Sequence, residues 1–140
     1  VQYRRGPAVV DTMVFSWSLS ALRSQLYAAH IQGRPLVLAA QSAAELWASA
    51  LIGGWGETRR RELDERLSLV RIAGVTRSIA RVYASLKADC RAVGHPLHDK
   101  IHDGDRWIAA TAVRYSIPLV SHDGVFKDVP GLDLITELEE

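Results

Sequence analysis

Cysteine is nearly absent from this chain. The single Cys90 has no partner for an internal disulfide and belongs to no metal-ligating pair. That excludes a secreted, disulfide-stapled scaffold and makes a reducing cytoplasm the expected compartment. No charged leader with an apolar region behind it opens the sequence at Val1, so no signal peptide is expected. Long apolar runs are also scarce. The one stretch long enough to span a bilayer, Leu36 to Trp55, carries Gln41, Ser42 and Glu45 near its middle, and a carboxylate there costs about 2.5 kcal/mol or more. A short strand followed by a helix is expected instead, with no membrane partner. Internal repeats, linkers and low-complexity segments are missing. So is a His-Glu-x-x-His spacing, which leaves the five His without a zinc motif. Gly53-Gly54-Trp55-Gly56 lacks the spacing and the Lys of a phosphate-binding loop, and neither Ser42 nor Ser121 sits in a nucleophile elbow.

What is present is 140 residues, 48% apolar, with a formal net charge of +1. These values fit one globular domain over 1–140 with a substantial core. The small net charge hides an asymmetry: Lys and Arg outnumber Asp and Glu as far as His98, and the order reverses from Asp99 to Glu140. A positive surface beside an anionic pocket suits an enzyme acting on phosphodiesters, whose bases grip the backbone and whose acids hold metal. The plain alternative is a set of solvated helix faces.

Strand and helix signals alternate along the chain. Ala8-Val9-Val10 reads as a buried strand ending at Asp11, and Leu19 to Ile31 as a helix with Leu22, Leu26 and Ala29 on its inner side. Leu36-Val37-Leu38 is a second strand, and Gln41-Ser42 opens a helix through Ile52 that stops at Gly53-Gly54. Glu57 to Val70 is a charged amphipathic helix with Leu63, Leu67 and Val70 inward. Arg71 to Val75 is a short strand, and Thr76 caps a helix from Arg77 to Ala92 that ends before Gly94. His95 to Asp103 reads as a polar loop, Gly104 to Tyr115 as a helix, and Pro118 to Asp123 and Leu132 to Ile135 as strands. Such alternation predicts an α/β fold: a three-layer α/β/α sandwich around a central, mostly parallel sheet of four to five strands.

In that architecture the carboxyl ends of the strands share one edge. Asp11, Glu45, Asp105 and Asp123 all fall at strand ends or in the first turns of the helix that follows, so they are expected to converge. Clustered carboxylates repel unless a hard cation lies between them, which points to Mg²⁺ or Mn²⁺. Each acid also has a local reading. Asp11 can cap a helix, and Asp123 can form an Asp-Gly turn with Gly124. Glu45 lies among apolar neighbours such as Leu46 and Trp47, where an unpaired charge is rarely buried. Asp105 shares a helix face with Ile108, Ala109 and Ala112, at the end of the core stripe. Asp103 competes with it; Asp103 is read as the cap and Asp105 as the ligand. Trp17, Trp47, Trp55 and Trp107 read as core or interface residues, with one or two near the pocket able to stack on a nucleotide.

Four segments together resemble the PIN-domain ribonucleases, and among them the VapC type of toxin. They are Val9-Val10-Asp11-Thr12, Ala44-Glu45-Leu46, Asp105-Arg106-Trp107-Ile108-Ala109-Ala110-Thr111-Ala112, and Pro118-Leu119-Val120-Ser121-His122-Asp123 with Phe126 after it. The likeness covers nearly the whole chain. It implies a PIN-like fold in which Asp11, Glu45, Asp105 and Asp123 bind the metal and catalyse, with Thr12 and Ser121 as supporting hydroxyls; Asp103, from its place beside Asp105, is a further candidate supporting residue. It also implies metal-assisted hydrolysis of RNA, a small cognate antitoxin as inhibitor, and a homodimer. Two positions depart from the pattern: Met13 stands where a small polar residue is common, and Gly104 where Asn or Asp often precedes the third acid. The competing readings are a non-catalytic RNA-binding or scaffold domain of the same fold, and a phosphatase of another α/β family. The complete acid set argues against the first, and the missing Asp-x-Asp after the first strand against the second.

Overall fold

The computed structural model describes residues 3, 5–20 and 25–139. Five strands, β1 (Ala8–Val10), β2 (Leu36–Ala39), β3 (Arg71–Ala73), β4 (Leu119–Val120) and β5 (Leu134–Ile135), form one sheet in the order β3-β2-β1-β4-β5. Every neighbouring pair is parallel. The helices are α1 (Thr12–Ser18), α2 (Ala28–Ile31), α3 (Ala40–Ile52), α4 (Glu57–Ser68), α5 (Arg77–Ala92) and α6 (Asp103–Tyr115).

The three-residue run Ala8-Val9-Val10 is wholly buried, as a strand covered on both faces requires. Alternation along the strands divides the core in two. Val9, Val37 and Leu119 face a cluster with Ile79 and Leu86 of α5 and Ile108, Ala109 and Ala112 of α6. Ala8, Val10, Leu38 and Val120 face the other side, against Val14 and Phe15 of α1, Leu46 of α3, and Leu63 and Leu67 of α4. Each buried Leu contributes roughly 1.5–3 kcal/mol, so both helical layers are held by the sheet. The expected three-layer arrangement is present. No helix among the described residues is long and apolar enough to cross a membrane.

Helix boundaries follow local chemistry. Thr76 Oγ1 accepts the Ile79 backbone N–H at 3.2 Å and starts α5. Gly94, at φ +72°, follows its end in the left-handed region that glycine enters without strain. Of the expected helix over 19–31, the described residues form helix only at α2, Ala28–Ile31, and 21–24 lie outside them. A separate helix starts at Thr12, directly after β1, because the Asp11 side chain caps it through Val14 N–H. Leu22 lies outside the described residues, and Leu26 and Ala29 are exposed while Tyr27 is buried. The expected loop His95–Asp103 holds two short 3-10 turns, with Leu97 fully buried between them and the core.

The strand order reverses at β1, whose neighbours are β2 on one side and β4 on the other. One face of the sheet is covered by α1, α3 and α4 and the other by α5 and α6, and the crevice at the carboxyl ends is where open α/β sheets bind ligands. Asp11 ends β1 at this point.

Candidate functional site

Asp11 is 5% exposed and both of its carboxylate oxygens are engaged. Oδ1 accepts Val14 N–H at 2.7 Å, and Oδ2 accepts the hydroxyl of Ser121, which follows β4. The capping reading holds for this residue, and its second oxygen ties it to the end of β4. Burial pushes its carboxyl above the ordinary 3.8; the bonds from Ser121 and Val14 pull it down, and the charges of Asp123 and Asp105 push it up again. Asp11 thus lies near enough to Asp105 and Asp123, both far away in sequence, for their charges to act on its carboxyl.

Asp123 is half-buried beside it. Its backbone N–H donates to Ser121 Oγ at 3.0 Å, and its Oδ1 accepts Val125 N–H at 2.9 Å, which starts a 3-10 turn over Gly124–Phe126. Ser121, fully buried, thus fixes both neighbours at once.

Asp105 lies in the first turn of α6 with its Oδ2 at 2.9 Å from His102 Nδ1. Ile108, Ala109 and Ala112 of the same face are buried, so the placement at the end of the core stripe holds. The expected cap role of Asp103 does not. His102 occupies the N-cap position without a side-chain cap bond, and Asp103 is exposed, bonded to the Tyr83 hydroxyl and 3.6 Å from Arg106. The phenol of α5 and the guanidinium one turn later draw its carboxylate away from the helix end.

Glu45 corrects the argument made for it. Ala44, Glu45, Trp47 and Ala48 are exposed, so the apolar neighbourhood is helix surface and the charge is solvated. Its position still matters: a Cβ placed on Gly104 would stand 3.5 Å from Glu45 Oε1, so α3 brings this carboxylate against the start of α6 beside Asp105.

Two buried hydroxyls lie close to these acids in sequence. Thr12 Oγ1 and Ser42 Oγ are buried and, among the described residues, have no hydrogen-bond partner. Thr12 follows Asp11, and Ser42 precedes Glu45 by one helical turn. An orphaned buried hydroxyl costs about 1–3 kcal/mol, so such groups mark a place made for a polar occupant. Ser42 carries no motif, and only burial reveals it. Among the described residues no three His, Cys, Asp or Glu side chains are gathered tightly enough to hold an ion. Asp11, Asp105 and Asp123 are instead held by Ser121, His102 and the Val125 N–H respectively. All the side chains offered by the four acids and two hydroxyls are oxygen donors, the set that hard cations prefer.

The PIN domain family matches residues 8–132 of the chain. Several solved structures share the fold. A chain of the VapBC2 complex from Rickettsia felis, bound to a promoter DNA fragment, is 19% identical with a TM-score of 0.78, covering 93% of this chain and 98% of that one. A chain of FitAcB from Neisseria gonorrhoeae is 25% identical with a TM-score of 0.71, covering 91% and 96%. A chain of VapBC-5 from Mycobacterium tuberculosis, a toxin-antitoxin system of the VapBC family, is 24% identical with a TM-score of 0.65, covering 93% and 98%. No curated protein matches significantly. With the family spanning nearly all of the sheet and every acid of the site, the chain belongs to the PIN-domain family.

Proposed function

We propose that this chain is a divalent-metal-dependent endoribonuclease of the VapC toxin type, working as a single domain over 1–140 in the cytoplasm, dimeric, and silenced by a small cognate antitoxin. The observation that carries this reading is the placement of Asp11 where the strand order reverses, joined to Asp123 through Ser121 and within reach of the charge of Asp105. A buried carboxyl whose charge is disfavoured by burial and by neighbouring acids is relieved by a bound cation.

The residues fit Mg²⁺ or Mn²⁺. Asp11, Asp105 and Asp123 would hold it, with Glu45 entering from α3 and Thr12, Ser42 and Ser121 orienting the carboxylates or water. When bound, the ion supplies Lewis-acid polarisation of the phosphodiester and activation of water. Ser121 holds Asp11 and Asp123 at a fixed separation, and Val14 N–H keeps Asp11 Oδ1 in place. The chain therefore contributes orientation, which is most of what phosphoryl transfer asks of a protein. A partner peptide that places an Arg or Lys among the four acids would substitute a fixed cation for the metal and inhibit.

The test is incubation of an RNA panel with purified protein and Mg²⁺ or Mn²⁺, with a chelator control and with Asp11→Asn. Cleavage that requires metal and disappears in the variant is expected. Full activity of Asp11→Asn, or no cleavage of any RNA, would reject the assignment.

A further inference from the structure

Tyr27 stands at the N-cap position of α2 and is only 3% exposed. A phenol buried that deeply needs partners for its hydroxyl, and here they come from two distant parts of the chain. The Glu137 backbone N–H, just past β5, donates to it at 2.9 Å. Ser121 O lies 3.2 Å away and His122 Nδ1 2.7 Å away, both just past β4. Thr136 Oγ1 is a longer neighbour at 3.4 Å. Rings hold the phenol in place: Trp17 of α1 at 6.3 Å, His30 at 5.9 Å and the edge of His122 at 5.6 Å, centroid to centroid.

A phenolic hydroxyl can donate once and accept twice. One arrangement uses all of that capacity: Glu137 N–H and His122 Nδ1–H donate to the oxygen, and the hydroxyl donates to the Ser121 carbonyl. No backbone N–H among the described residues reaches that carbonyl, so the phenol is what satisfies it. Sheet pairing fixes the start of the segment, where Ser121 N–H donates to Ile135 O at 3.1 Å. Beyond that bond the ladder ends, and Tyr27 takes over.

The segment it holds carries the link between two acids. Ser121 Oγ donates to Asp11 and accepts the Asp123 N–H at 3.0 Å, and its place is set by the backbone of Ser121 and His122. Tyr27 is bonded to both residues. The tail past β5 has ties of its own, His30 to Glu137 at 2.5 Å and Lys127 Nζ to Glu139 O at 2.5 Å. Anchoring that tail does not by itself call for a buried phenol.

We propose that Tyr27 is a positioning residue for the acid site: its hydroxyl locks the Ser121–His122 peptide, and through Ser121 it sets the separation of Asp11 and Asp123. This deepens the metal-dependent reading and rests on it for what the fixed spacing serves.

Two variants of the full chain test it. Tyr27→Phe keeps the ring and removes only the hydroxyl, so the fold is retained; His30→Gln keeps the hydroxyl and removes the imidazole that pairs with Glu137. Both are compared with the parent at a temperature where melting curves show all three folded. The first readout is amide hydrogen exchange in chelator, which needs neither metal nor RNA. In Tyr27→Phe the Glu137 amide loses its acceptor and exchanges faster. The Asp123 amide, bonded to Ser121 and not to Tyr27, should also exchange about fivefold faster, the worth of roughly one ordinary hydrogen bond. His30→Gln should leave Asp123 at the parent rate. The second readout is Mn²⁺ binding, followed by the electron paramagnetic resonance signal of the free ion. It should be about fivefold weaker in Tyr27→Phe, as when an outer partner of a ligand is lost, and parent-like in His30→Gln.

An Asp123 amide unchanged in Tyr27→Phe makes the phenol a tail anchor only and overturns the proposal. So do equal effects of the two variants on Asp123, or parent-like Mn²⁺ binding by Tyr27→Phe when the parent binds the ion. A parent that binds no Mn²⁺ fails the metal-dependent reading instead, and the Asp123 amide still decides the role of Tyr27.

Discussion

Ser121 Oγ donates to Asp11 Oδ2 across 110 residues of sequence, and the same oxygen accepts the Asp123 backbone N–H at 3.0 Å. One buried hydroxyl thus ties the ends of β1 and β4 together and sets the spacing of two acids. Ser121→Ala leaves the Asp123 N–H and one Asp11 oxygen without that partner. The variant should lose about 1–3 kcal/mol of stability at neutral pH. Because the lost bond favoured the charged carboxylate, the gap between parent and variant should narrow as pH falls and Asp11 becomes protonated in both. Chemical denaturation at neutral and acidic pH measures it.

Ionisation of Asp11 destabilises the metal-free protein. Its folded pKa is raised above 3.8, so the folded state binds a proton more tightly than the unfolded chain, and stability falls as pH rises from 3.8 through the raised value. In chelator at neutral pH, Asp11→Asn should therefore melt at or above the parent. With Mg²⁺ or Mn²⁺ the order should reverse: the parent gains roughly 2.7 kcal/mol at a hundredfold excess over the dissociation constant, and the variant gains little. Thermal melts in the four conditions check both signs.

Much of this was legible from pattern. Strand signals fell on all five strands, Thr76 and Gly94 bounded α5, and the sheet-edge rule anticipated the approach of Asp11 and Asp123, which meet at Ser121. The misreadings share a cause, which is that local signals do not report what tertiary neighbours take away. Thr12 to Ser18 carries too little helical periodicity to be recognised, yet Asp11 starts a helix there. Asp103 looks like a cap until Tyr83 and Arg106 claim it. Glu45 looked buried because its neighbours are apolar, but that face of α3 is exposed. Ser42 and Arg106 have roles only their burial discloses.

Arg106 is the largest of the fully buried side chains, at 1% exposure. Its Nη1 donates to the carbonyls of Leu97 at 2.8 Å and Asp99 at 2.6 Å, and its Nη2 to the Tyr83 hydroxyl at 3.0 Å. It pins the turns before α6, and with them His102 and Asp105. Arg106→Ala orphans two carbonyls and should cost about 2–4 kcal/mol. Arg106→Lys should recover only part of this, since an ammonium cannot reproduce the fork. Urea denaturation midpoints of the three proteins decide it.

Gly104 is the second residue of α6, and a methyl group there would make ordinary contact with Glu45 Oε1 at 3.5 Å. Gly104→Ala should stabilise by about 0.4–1 kcal/mol through reduced freedom of the unfolded chain. A fall in melting temperature would show that α3 and α6 are closer than this spacing allows.

The central claim is that Asp105, and not the neighbouring Asp103, joins Asp11 in one cation site. Mn²⁺ titration followed by the electron paramagnetic resonance signal of the free ion tests it most directly. The account predicts that Asp103→Asn binds Mn²⁺ as the parent does, whereas Asp105→Asn binds about tenfold more weakly or worse, a loss of at least roughly 1.4 kcal/mol. Equal binding by the parent and Asp105→Asn, or a loss confined to Asp103→Asn, would contradict it.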